Sequence, residues 1–98
     1  MLTVLQTDYF THWLRDLNDT RAKFKIVARI RRAESGNLGD WKSVGDGISE
    51  MRIDHGPGYR IYFARRGTTV IMLLTGGAKS TQSADINAAK RMLKLITL

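Results

Sequence analysis

Arg52 and Arg60 stand on either side of the chain's single proline, within the stretch Glu50-Met-Arg-Ile-Asp-His-Gly-Pro-Gly-Tyr-Arg-Ile-Tyr-Phe63. Arginine binds phosphate through a planar fork of donors and stays charged. Together with Lys79, Lys42, Tyr59, Tyr62 and His55 they make a set suited to holding something anionic and flat. RNA is such a ligand, and its 2′-hydroxyl is a nucleophile of its own. Cutting it asks of a protein only alignment, a base, an acid and stabilisation of the charge on the phosphoryl centre. Tyrosines can stack on unpaired bases. The same residues also fit passive nucleic-acid binding, or two arginines that merely balance Glu50 and its neighbours across strands.

Other chemistries find little support. The two histidines, His12 and His55, lie far apart, and no carboxylate cluster has metal-ligand spacing, so neither a metal nor a cofactor is expected. Gly76-Gly77-Ala78-Lys79-Ser80 looks superficially like a nucleotide-binding loop, but its spacing is wrong. With no cysteine there is no disulfide and no thiolate chemistry, which suits the cytosol. No apolar run approaches the ~20 residues that span a bilayer, and no signal peptide follows Met1, so no membrane role is expected. The net charge of +7 and pI near 10.3 favour polyanionic partners.

The elements that must carry these residues follow from periodicity. At 98 residues the chain reads as one domain, 1–98, of α+β class. Leu2-Thr3-Val4-Leu5 reads as a strand. Thr7 or Asp8 then caps a helix whose Phe10, Trp13, Leu14 and Leu17 form one apolar stripe. A second helix, Thr20 to Ser35, buries Ala22, Ile26, Val27, Ile30 and Ala33 and carries Arg21, Lys25, Arg29 and Arg32 at helical spacing. That basic stripe is either a solvated face or a phosphate-contact surface. Asn37 to Gly47 reads as a loop in which Trp41 anchors to the core or stacks on a base. Around His55-Gly56-Pro57-Gly58 two strands alternate. Met51, Ile53, Tyr59, Ile61 and Phe63 face a core, while Arg52, Arg60 and Tyr62 lie on an open face. Arg60→Ala is thus expected to remove activity without disturbing the core. Val70 to Thr75 reads as an interior strand, Gly76 to Gln82 as a loop, and Ser83 as the cap of a last helix. The sheet is expected to be mainly antiparallel, with about four strands.

These blocks, read in order, carry a family likeness. Phe10-Thr-His-Trp-Leu14, Gly45-Asp-Gly-Ile-Ser-Glu-Met-Arg-Ile53, Gly56-Pro-Gly-Tyr-Arg-Ile-Tyr-Phe63 and Leu73-Leu-Thr-Gly-Gly-Ala-Lys-Ser-Thr-Gln82 span nearly the whole chain. The sequence resembles the RelE/ParE superfamily of type II toxins, in its HigB-like, phage Gp49-like branch of addiction-module killer proteins. The resemblance implies a RelE-like fold with an N-terminal strand, a two-helix hairpin and a C-terminal helix. It implies a cytoplasmic, ribosome-dependent mRNA endonuclease, acting by metal-free 2′-hydroxyl attack and held inactive by an antitoxin encoded beside it. Arg52 and Arg60 match arginines that contact the scissile phosphate, Lys79 a basic residue after the last strand, and Lys42, more loosely, a basic residue before the second. The catalytic tyrosine or histidine that some relatives carry near the C-terminus has no counterpart here, where Gln82-Ser83 stand. His55 and Tyr62 are the remaining candidates for the base. Arg21, Lys25, Arg29, Arg32, Lys42 and Tyr59 are left for RNA or ribosome contact. ParE-like members inhibit DNA gyrase without enzymatic activity, and that is the alternative function.

Overall fold

The computed structural model describes residues 1–96. Strand β1 (Thr3–Gln6) leads into helix α1 (Asp8–Arg15) and helix α2 (Thr20–Glu34). Strands β2 (Trp41–Gly45), β3 (Ile48–Ile53), β4 (Tyr59–Arg66) and β5 (Val70–Ala78) follow. A 3-10 turn, Lys79–Thr81, opens into helix α3 (Gln82–Leu95). The sheet runs β1-β5-β4-β3-β2. β1 lies parallel to β5, and every other pairing is antiparallel.

Local chemistry starts each helix. The Thr7 hydroxyl oxygen accepts from the Phe10 N–H at 3.1 Å and donates to the Leu74 carbonyl at 2.6 Å, so one side chain caps α1 and pins it to β5. Asp19 caps α2 by accepting from the Ala22 N–H at 3.1 Å. Gly36, at φ +97°, takes the left-handed conformation that closes α2. Phe10, Ala22, Ile26 and Ala33 are fully buried on one face of the sheet, against Met51, Ile53, Ile61, Phe63, Ile71 and Leu73. Trp13, Leu14, Leu17 and Ile30 pack around them.

The second face is not open. α3 lies on it, and Ala89 with Ile86, Met92 and Leu93 covers Ile48, Tyr62, Ala64 and Leu74. The sheet is therefore a middle layer between a helical hairpin and a single helix. Tyr62, expected on a surface, is fully buried beneath α3, whereas Leu95 at the end of that helix is 88% exposed.

Parts of two stretches read as loops are strand: one adds a strand, raising the count from about four to five, and the other lengthens β5. Residues 41–45 form β2, an edge strand whose side chains are mostly exposed and so show no apolar alternation. The available signal was Asp46-Gly47. Both residues have positive φ, +54° and +81°, as the tight turn that best matches strand twist requires. β5 likewise runs through Gly76 and Gly77 to Ala78. A methyl on Gly76 would collide with the Trp13 ring, and one on Gly77 with the Asp85 carboxylate. These glycines mark close approach from both layers rather than a loop. The last helix begins at Gln82, one residue before the expected cap, with Thr81 in the capping position.

Candidate functional site

Register builds the site. β3 and β4 set Arg52 directly opposite Arg60 and Glu50 opposite Tyr62. β2 sets Lys42 opposite Glu50. Strand alternation turns all of these toward the α3 side. Lys79 follows β5 at once, and its N–H donates to the Gly58 carbonyl at 2.7 Å. Gly58 has φ +78°, and a Cβ there would sit 3.6 Å from Lys79 Cβ and 3.7 Å from Arg60 Nη1. The outer end of the Arg60 guanidinium and Lys79 therefore converge at the hairpin turn. Lys42, Arg52, Arg60 and Lys79 share one face, at the end of the sheet that α3 leaves uncovered.

Beneath them lies an anion that sequence reasoning did not place in the site. Glu50 is fully buried. Its Oε2 lies 3.5 Å from Arg60 Nε, and its Oε1 3.9 Å from Lys42 Nζ. Gln82, in the first turn of α3, donates through Nε2 to both oxygens, at 3.1 and 3.4 Å. A buried carboxylate without such partners would be strongly disfavoured. Two cations for one carboxylate leave the face positive. Arg52 has its own counterion, with Nη2 donating to Asp40 Oδ1 at 2.8 Å. That bond holds the Asp40 carboxyl below its usual range and lifts Arg52 above its own.

The comparisons fit this architecture. Residues 12–96 match the family described as "Phage derived protein Gp49-like (DUF891)". The chain belongs to the Gp49-like family. This is a toxin-like family of addiction-module killer proteins. An uncharacterized protein of Haemophilus influenzae is 51% identical over 89 residues, covering 91% of this chain and 90% of that one. In fold, the chain is similar to the conserved hypothetical protein HP0894 from Helicobacter pylori, in its solution structure. The TM-score is 0.55 at 17% identity, covering 82% of this chain and 97% of that one.

The Gp49-like chain places its other candidate residues elsewhere. His55 turns toward the helical hairpin, where Nε2 meets Asp19 Oδ2 at 3.0 Å, so both candidate bases are removed from the cationic face by geometry or by burial. For Tyr62 burial comes first, with the nearby Glu50 and Asp85 charges adding, and the phenol is pushed up to about 12. It stays protonated at neutral pH and is no base there. Among the described residues its hydroxyl has no partner. Tyr59, expected to stack on a base, belongs to the core and packs edge-on to Trp13 at 6.3 Å. Trp41 is half-exposed on β2, 6.1 Å from Phe63, with the Arg65 guanidinium over its ring.

The basic stripe of α2 divides. Arg29 reaches back to the sheet and donates to three carbonyls, those of Arg52 at 2.6 Å, Leu38 at 2.9 Å and Asp40 at 3.1 Å. Burial, aided by the Arg32 charge, pushes its pKa down. It staples the α2–β2 connection to β3, which is a structural duty. Arg21, Lys25 and Arg32 are exposed and form no salt bridge among the described residues. No helix of the described residues is long and apolar enough to cross a membrane.

The expected tolerance of Arg60→Ala is also corrected. Only 12% of the Arg60 side chain is exposed, and alanine there would leave Glu50 buried without its nearest cation. Glu50 could be paired by alternation with Arg52 and Tyr62. Its burial could not be read, because that depends on where α3 lies.

Proposed function

We propose that this chain is the toxin of a type II toxin–antitoxin pair, an endoribonuclease that cuts mRNA on the ribosome by 2′-hydroxyl attack. The observation that carries the reading is the convergence of Arg52, Arg60, Lys79 and Lys42 on one sheet face, with the outer end of Arg60 beside Lys79. In the reaction the 2′-oxygen loses its proton and bonds to phosphorus. The bond to the 5′-oxygen breaks, and that oxygen leaves as a hydroxyl after gaining a proton. Negative charge grows on the phosphoryl oxygens, where Arg60, Arg52 and Lys79 stabilise it. The substrate supplies the nucleophile, and water accepts the 2′-hydroxyl proton and gives one to the leaving 5′-oxygen, so the protein is left to align and stabilise.

Arg21, Lys25 and Arg32 act in docking on ribosomal phosphates, through contacts that weaken as salt rises. A cognate antitoxin, more acidic than this chain, neutralises it by covering the cationic face or wedging against the helical hairpin, and salt slows that association. The test is to induce the protein in cells, map RNA 5′ ends and assay DNA supercoiling in the same cultures. New 5′ ends within translated mRNAs are expected. Intact mRNA with lost supercoiling would replace this reading with the gyrase-inhibitor one.

A further inference from the structure

We infer that Glu50 is a positioning residue of this site, a buried carboxylate that holds Arg60 by its Nε edge and turns the far end of the guanidinium toward a substrate phosphate beside Lys79. The inference rests on the endonuclease reading, and it assigns Glu50 no contact with RNA. Glu50 is fully buried and cannot reach the substrate, whereas Arg60 is partly open.

Three observations carry it. First, the carboxylate lies 3.5 Å from Arg60 Nε, an ion-pair contact without a hydrogen bond, while Nη1 lies toward Gly58. A guanidinium can grip phosphate side-on, through Nε and one Nη, or end-on, through both Nη groups. With the Nε edge facing Glu50, the end-on grip remains. Second, Gln82 donates to both carboxylate oxygens, so the start of α3 fixes the rotamer that aims the charge. Third, Tyr62 stands opposite Glu50 with its hydroxyl buried and, among the described residues, without a partner, so Tyr62 does not hold the carboxylate and Gln82 does.

Stability alone is a weak reason to keep this carboxylate. Buried ion pairs contribute little net stability compared with apolar residues of the same volume. What Glu50 supplies is direction, and displacing a catalytic group by about 1 Å costs on the order of a hundredfold in rate.

The experiment compares wild type, Glu50→Gln and Gln82→Ala by three measurements. These are the guanidinium Nε–H resonance of Arg60 by NMR, affinity for a short oligoribonucleotide made non-cleavable by one 2′-deoxy residue, and single-turnover mRNA cleavage on ribosomes. Glu50→Gln keeps the shape and removes the charge. Its affinity is expected to match wild type or rise, because one internal anion is gone, while cleavage falls about a hundredfold and the Arg60 Nε–H resonance shifts as its ion-pair partner is lost. Gln82→Ala is expected to lower cleavage about tenfold and to lower the melting temperature as well, because the buried Glu50 loses the hydrogen bonds that Gln82 donates.

If Glu50→Gln binds tighter and also cleaves faster, Glu50 is a charge brake and the inference falls. Wild-type cleavage by a folded Glu50→Gln also overturns it. Should Glu50→Gln fail to fold, Gln82→Ala decides, and cleavage at the wild-type rate rejects the idea. If the wild type cuts no RNA, the endonuclease reading fails on its own. An Arg60 Nε–H signal identical in wild type and Glu50→Gln would then reject the positioning role separately.

Discussion

Arg29 and Arg60 are both partly buried arginines on regular elements, yet they do opposite work. Arg29 spends its donors on three backbone carbonyls, and its reach ends inside the protein. Arg60 faces a carboxylate at one edge only, 3.5 Å away, and its other end lies at the surface beside Lys79. A carbonyl-bound arginine is a staple. A guanidinium leaning on a single carboxylate still has donors to offer a ligand. Exposure alone does not separate them, but the chemical type of the partner does.

The comparison is sharpest at Arg60. Arg60→Ala is expected to abolish cleavage, a loss of about 3 kcal/mol or more in transition-state stabilisation. It is also expected to destabilise the fold by about 3–5 kcal/mol, through the stranded Glu50. Combining it with Glu50→Gln should restore most of the melting temperature and none of the activity, as paired melts and cleavage assays would show. An Arg60→Ala protein that melts like wild type would mean that Glu50 is not held as described.

Arg29→Ala should do the reverse. Losing bonds to three carbonyls is expected to cost about 3 kcal/mol of stability, or a fall of about 10–20 °C in melting temperature. Folded protein below that temperature should keep its cleavage rate. Activity lost before stability would move Arg29 into the site and collapse the contrast.

A smaller effect is expected from the exposed end of the stripe. Replacing Arg21 and Lys25 together by alanine should weaken ribosome binding about tenfold at low salt, with a shallower salt slope and an unchanged melt. Identical salt slopes for variant and wild type would make the stripe a solvated face.

Acid separates the two kinds of partner further. The Asp40 carboxyl titrates below its ordinary value of 3.8 because Arg52 binds it, so its contribution is complete above that pH and disappears as pH falls through the lowered folded value. Melting temperature should therefore hold steady from neutrality to about pH 4 and drop below it. Asp40→Asn should flatten part of that drop, and Arg29, bonded to carbonyls, should contribute none of it. The smallest effect belongs to Tyr62→Phe. A buried hydroxyl without a partner among the described residues contributes nothing favourable, so stability should stay within about 0.5 kcal/mol of wild type or rise.

How much of this was legible in the sequence varies with the range of the cause. The cap at Thr7, the apolar stripe of α1, the burial of Ala22, Ile26 and Ala33 on α2 and the alternation around Pro57 are local, and these appear as read. The pairing of Arg52 with Arg60 is local too, because a tight hairpin sets it. β2 was missed because an exposed edge strand has no apolar signature, and the end of β5 because glycines packed against Trp13 and Asp85 look like a loop. The roles of Glu50, Tyr62 and Arg29 were illegible for a further reason. Each depends on which element covers it, and no spacing along one strand or helix contains that information.

The strand order has a consequence in time. β1, at the start of the chain, pairs with β5, Thr3 opposite Val70, so the first strand has no partner until the last strand exists. Such long-range closure is slow, because the entropy of the intervening chain must be lost before the pairing forms. The site waits with it, since Lys79 and the Gln82 that steadies Glu50 both lie beyond β5. A chain still being synthesised therefore carries Arg52 and Arg60 on an unfinished hairpin, and the cationic face is assembled only after β5 and the start of α3 have been made.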